Sequence, residues 1–155
     1  MTASAPSVEI KILSDPMFLA GARELILGLT RRLGFKQDAS GQIALAVDEA
    51  LANIINHGYE HQCDKPIWIY IWTTAHNNEP GLRIHIEDEA KQIDPDSICG
   101  RDLDDVKPGG LGVHIIRKVM DTVVYEKKGC CGMRLKMSKR LASDHNADKP
   151  EHAHG

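Results

Sequence analysis

Residues 82–88 read Leu-Arg-Ile-His-Ile-Glu-Asp. Leu82, Ile84 and Ile86 alternate with Arg83, His85 and Glu87, so a strand here buries one face and wets the other. The same period recurs through Val8, Ile10 and Ile12, and through Met133, Leu135 and Met137. Strands with a single apolar face belong to an antiparallel or mixed sheet covered by helices on one side. Two segments have helical spacing instead. From Asp15 to Leu33, residues Phe18, Ala22, Leu25, Leu29 and Leu33 make one stripe, with Pro16 at the start and Gly34 just past the end. From about Ser40 to His57 the stripe is Ile43, Val47, Ala50 or Leu51, and Ile54, and Gly58 stops it. The expected fold is α+β, a two-layer α/β sandwich with a mixed, mainly antiparallel sheet.

Farther along, Leu111 to Met120 reads as a short helix, and Thr122 to Lys127 with Met133 to Lys139 as a closing hairpin around residues 129–132. The strand from Ile67 to Thr73 differs from its neighbours. Ile67, Ile69 and Ile71 share one face, while Trp68, Tyr70 and Trp72 share the other. With the isoleucines toward the helices, three aromatics stand on the outer surface of the sheet. Such a row is either a contact site or is covered by a terminal segment or loop.

The chain has 155 residues, enough for one well-packed domain and too few for two of ordinary size. It is 42% hydrophobic and 26% charged, which excludes collagen-like and disordered classes. A formal charge of −3 gives no general attraction to nucleic acid or to an anionic membrane. No apolar run reaches the length of a membrane span, and the N-terminal MTASAPS has no signal-peptide character, so a cytoplasmic location is expected. Cys63, Cys99, Cys130 and Cys131 form no CxxC pair, and reduced thiols are the default. Residues 1–7 read as a flexible start, 8–140 as the domain, and 141–155 as a solvated tail. His145, His152 and His154 in that tail lack an ordered frame for a metal.

Chemistry concentrates in three places. Glu49, Asn53 and His57 recur every four residues and share a helix face. There a carboxylate can orient or deprotonate a hydroxyl, an amide oxygen can ligate Mg²⁺, and an imidazole can donate to phosphate. Alone, such a row is most often a solvated face. Pro108-Gly109-Gly110-Leu111-Gly112 leads directly into a helix, where glycines and unpaired N–H groups suit a phosphate. Asp88 ends an apolar strand, either as a simple turn residue or as an acceptor for an exocyclic amine such as that of adenine.

The order of these pieces is more specific than any one of them. DEALANIINHGYE (48–60), IEDEAKQIDPDSI (86–98) and GGLGVHIIRKVMDTVVYEKKG (109–129) resemble the N box and the two glycine boxes of the GHKL ATPase superfamily with its Bergerat fold. The likeness is greatest to the small anti-sigma regulatory factors that act as serine-protein kinases, and it covers most of residues 8–140. It implies ATP and Mg²⁺ as cofactors. Glu49 would be the catalytic base or water-orienting carboxylate, Asn53 the Mg²⁺ ligand, and His57 a phosphate contact. Asp88 would bond the adenine amine, with Ala90 and Ile93 in the same box. Gly109, Gly110 and Gly112 would shape the phosphate turn, and Leu111 and Val113 would supply backbone N–H groups. Asp94 to Gly109 would be a short lid in which Arg101 or Lys107 neutralises charge during transfer.

Two positions depart from the family pattern. Ala90 stands where glycine is usual, which matters if the turn needs a positive φ. Met133 stands where asparagine is common after the Gly129-Cys130-Cys131-Gly132 loop. The resemblance implies an ATP-dependent serine/threonine kinase that phosphorylates an anti-anti-sigma antagonist, sequesters a sigma factor, and forms a homodimer. The alternative is a nucleotide-binding module that controls a partner by occupancy alone.

Overall fold

The computed structural model describes residues 4–98 and 110–142. Arg101, Lys107, Gly109, Cys99 and the histidines at 145, 152 and 154 lie outside the described residues. Strand β1 is Val8–Leu13, followed by helices α1 (Leu19–Leu33) and α2 (Gln37–Asn53) and by a π-helical turn over Ile54–Gly58. Then come β2 (Pro66–Thr74), β3 (Pro80–Glu87), α3 (Leu111–Val119), β4 (Thr122–Lys127) and β5 (Met133–Arg140). The strand order is β1-β2-β3-β5-β4, and every adjacent pair is antiparallel. The expected α+β sandwich is present, and its described sheet is antiparallel throughout rather than mixed.

Strand register builds the core. Ile10, Ile69, Ile86, Leu135 and Tyr125 stand opposite one another across all five strands, and Val8, Ile71, Ile84, Met137 and Val123 form the next row. These rows meet α1 and α2. Ile43, Val47 and Leu51 of α2 are fully buried, as the apolar spacing requires. Burying each large aliphatic side chain contributes about 1.5–3 kcal/mol, so this layer contact is the main source of stability.

Helix α1 is rotated relative to the expected stripe. Ala22, Ile26 and Thr30 are its buried residues, Leu25, Leu29 and Leu33 flank them, and Phe18 is 39% exposed. A threonine can occupy the centre because its hydroxyl donates to the Ile26 and Leu27 carbonyls at 2.8 and 3.2 Å, leaving no unmet donor. Gly34 ends the helix at φ 98°, and its N–H returns to Arg31. Helix α2 begins at Gln37, earlier than Ser40, because the extended Lys36 already precedes a helical turn.

On the outer face, aromatic and charged side chains pair across strands. Lys11, Trp68, Glu87, Arg134 and Glu126 form one row. Arg134 bonds Glu87 at 2.6 Å and Glu126 at 3.0 Å, and Lys136 reaches Glu126 at 2.8 Å. Lys11 and Lys128 lie over the Trp68 ring, and Arg83 lies 4.5 Å over Trp72. The Trp72 indole donates to the Ser4 carbonyl at 2.8 Å, and the Ser7 N–H bonds Ile71 O at 2.7 Å. The aromatic row is therefore half-buried beneath its own cations and the segment before β1.

Candidate functional site

Helix α2 carries Glu49 and Asn53 on the face that meets the N-terminus of α3. Gly112 lies there, buried, where a Cβ would come within 2.6 Å of Glu49 Oε2 and 3.4 Å of Asn53 Nδ2. A side chain here would displace the Glu49 carboxylate, so glycine is what lets the carboxylate stand at this helix tip. Gly110 turns the chain into α3 at φ 98°, a left-handed conformation that glycine adopts without strain. The first turn of α3, with its unpaired N–H groups and positive dipole end, thus stands beside a carboxylate and an amide.

Beneath this junction opens a cavity of about 390 Å³. Asn53, His57, Asp88, Ala90, Ile93, Gly110 and Val113 all line it. Neither Glu49 nor Gly112 lines it; their contact lies beside Asn53, which does. Leu111 is 63% exposed and points elsewhere. The π-helical turn closes with the Tyr59 N–H bonded to Ile54 O at 2.8 Å, and it carries His57 and Gly58 to the cavity wall.

Asp88 is buried, and its Oδ1 accepts from the Ala90 N–H at 2.8 Å and the Met133 N–H at 3.1 Å. Both bonds fall on one oxygen, which directs the other toward the cavity as an acceptor. Burial raises the Asp88 pKa above the usual carboxylate range, against the lowering effect of those two backbone donors. Ala90 is not among the positive-φ residues, so a methyl group is tolerated there. It packs 3.1 Å from where a Gly58 Cβ would stand.

Residues that the sequence reading missed hold Asp88 in place. The Tyr59 hydroxyl donates to Pro66 O at 2.6 Å and accepts from the Glu89 N–H at 2.7 Å, tying the end of α2 to the end of β3. Burial pushes its pKa up to about 12, so it remains a donor at any physiological pH. Lys128 Nζ donates to Asp88 O at 3.2 Å and pairs with Glu87 at 3.2 Å. The Gln92 amide donates to the carbonyls of Lys128, Gly129 and Gly132, fastening the β4–β5 turn. The apolar floor of Ile86, Leu135 and Tyr125 was also missed as a site. Alternation places these residues on the inner face, but only the gap between α2 and α3 uncovers them. Arg117 lies over Tyr125 and donates to Ile98 O at 3.2 Å, closing one side.

The site has an apolar floor of base-sized reach, one inward acceptor, and an amide and a carboxylate at a helix tip. Among the described residues no cluster of three or more His, Cys, Asp or Glu could cage a metal. One amide oxygen beside the N-terminal end of α3 still fits Mg²⁺, an ion that keeps waters and phosphate oxygens as most of its ligands.

Serine-protein kinase RsbW of Halalkalibacterium halodurans is 27% identical to this chain over 146 residues, covering 89% of this chain and 85% of that protein. Serine-protein kinase RsbW of Bacillus subtilis (strain 168) is 24% identical over 160 residues, covering 98% and 94%. A solved histidine kinase domain from the Erythrobacter litoralis EL346 blue-light activated histidine kinase aligns with TM-score 0.47 and 19% identity, over 91% of this chain and 66% of that one. The family model for the histidine kinase-like ATPase domain matches residues 12–139, and the chain belongs to that family.

Proposed function

We propose that this chain binds Mg·ATP in the cavity between α2 and α3 and transfers the γ-phosphoryl group to a serine or threonine of a partner protein. The meeting of Glu49, Asn53 and Gly112 beside a cavity that Asn53 and Asp88 both line carries this reading. Adenine lies on Ile86, Leu135 and Tyr125, and its amine donates to Asp88. His57 and the N–H groups of α3 hold the phosphates, as the dipole end of a helix favours. Asn53 holds Mg²⁺, which screens the phosphate charge when bound. Glu49 orients the acceptor hydroxyl and takes its proton. The hydroxyl oxygen forms the new bond to phosphorus, the bond from the γ-phosphorus to the β–γ bridging oxygen breaks, and ADP leaves. Arg101 or Lys107 supplies charge from the lid.

The relatives' printed name, serine-protein kinase, supports transfer to a protein serine; by the resemblance of this chain's motifs, the acceptor is an anti-anti-sigma antagonist and the competing partner a sigma factor, in the cytoplasm. The chain works as a homodimer through the outer sheet face around Trp72. Labelled ATP, Mg²⁺ and a small antagonist protein test the reading. Label should pass to the antagonist with the native chain, whereas Glu49→Ala should retain ATP and transfer none. Absence of transfer by the native chain with intact ATP binding would establish the occupancy-only module instead.

A further inference from the structure

The turn between β4 and β5 carries two adjacent thiols, and nothing in the proposed reaction uses them. Cys130 and Cys131 are both exposed, and the Cys130 thiol donates to the Cys131 sulfur at 4.0 Å. The turn that presents them is also the clamp on Asp88. Met133, two residues beyond Cys131, donates its N–H to Asp88 Oδ1. The Gly132 N–H bonds Ala90 O at 2.9 Å, and Gly132 itself sits at φ 80° with its Cα against the Asp88 carbonyl. Lys128, on the other side of the turn, bonds Asp88 O.

We propose that Cys130 and Cys131 form a reversible oxidation site for low-molecular-weight disulfides, and that its closure loosens the backbone clamp on Asp88. The chemistry balances in two exchanges. The Cys130 thiolate attacks one sulfur of the small disulfide, forming a mixed disulfide and releasing one small thiolate. The Cys131 thiolate then attacks Cys130 Sγ, forming the Cys130–Cys131 bond and releasing the second. Two protein thiols are oxidised by two electrons, the small disulfide is reduced to two thiols, and the protein protons pass to the departing thiolates.

Geometry makes the closed form labile and consequential. An S–S bond needs about 2.05 Å, and relaxed disulfides join Cα atoms about 4.4–6.8 Å apart. Consecutive Cα atoms stand only about 3.8 Å apart, so a ring closed between neighbours strains the backbone that joins them. Strained, exposed disulfides are the readily reduced kind. The strain falls one residue from Gly132, whose close approach to Asp88 leaves no slack.

The experiment uses the full chain treated with dithiodipyridine. Tryptic cleavage after Lys128 and Arg134 isolates residues 129–134, with both thiols and no other cysteine. The peptide should lose the mass of two hydrogens and regain it with dithiothreitol. Amide exchange at Ala90 and Met133, the donors to Asp88 Oδ1, should quicken by about five- to tenfold in the oxidised chain. Cys131→Ser should keep a pyridyl adduct and never close. Stable adducts on both native cysteines, or closure with unchanged exchange at Ala90 and Met133, would overturn the proposal. A fall in ATP affinity on closure rests on the nucleotide reading. If the reduced chain bound no ATP, that reading would fail, while peptide mass and exchange would still decide this one.

Discussion

Glu49 and Gly112 lie against each other across two helices: a Cβ on Gly112 would stand 2.6 Å from Glu49 Oε2. The carboxylate can occupy its place at the tip of α3 because residue 112 has no side chain. Gly112→Ala should gain about 1 kcal/mol in helix propensity and lose about 1–3 kcal/mol through overpacking. The net loss of stability should therefore be at most about 2 kcal/mol, while phosphoryl transfer falls at least about tenfold as Glu49 is displaced. Native rates of transfer in this variant would remove Glu49 from the reaction.

Asp88→Asn keeps an oxygen for the Ala90 and Met133 N–H groups and turns an NH₂ toward the cavity. Two donors then face each other when adenine binds. ATP affinity should fall about 10- to 100-fold, the usual effect of an unmet polar group in a buried site. Stability at neutral pH should hold or rise, because burial disfavours the Asp88 carboxylate. Fluorescent-nucleotide titration beside thermal melts measures both.

His85 titrates on the outer sheet face. Burial, then Lys136 and Arg83, lowers its pKa from 6.5 to about 4. The unfolded chain therefore takes up a proton near pH 6.5 that the folded chain refuses until about pH 4. Stability from this group is fully present above pH 6.5 and drains as pH falls toward 4. His85→Gln should flatten the loss over that window by about 1 kcal/mol, since solvent screens a half-buried ring, read from denaturant midpoints at each pH. Glu87 also loses stability toward acid, at lower pH. Burial alone would raise its pKa, but the hydrogen bonds from Arg134 and Lys128 outweigh that and lower it.

Ala90→Gly tests the departure from the family pattern. The methyl group fills space above Gly58, and its backbone does not need a positive φ. The variant should lose about 0.5–1 kcal/mol of stability through backbone freedom, with ATP affinity changed by less than about threefold. A tenfold gain in affinity would mean that the methyl group narrows the edge of the base site.

Trp72→Glu should weaken self-association. Arg83 lies 4.5 Å from the ring and can pair with the new carboxylate, so the sheet should persist. Sedimentation at matched concentration measures it, and an unchanged dimer mass would move the interface elsewhere.

Much of the molecule was legible in one dimension because the signals are local. Alternation along Leu82 to Glu87 and spacing along Ile43 to Leu51 follow from the repeat of strand and helix, so the two layers and their contact could be read from residue type. Glycines at 34, 110 and 112 marked helix ends and a close approach for the same reason. The α1 stripe was misread because Thr30 looks polar, yet it meets its hydroxyl's needs within its own helix.

The chain's own order of residues determined the antiparallel-type strands, the helices, and the row of Glu49, Asn53 and His57. Only the folded arrangement decided that Gly112 touches Glu49, that Tyr59 braces Glu89, and that the turn bearing Cys130 and Cys131 grips Asp88. Those contacts join residues far apart in sequence, and no local periodicity records them. They follow from strand register and from the gap left between α2 and α3, which come into being when the layers pack.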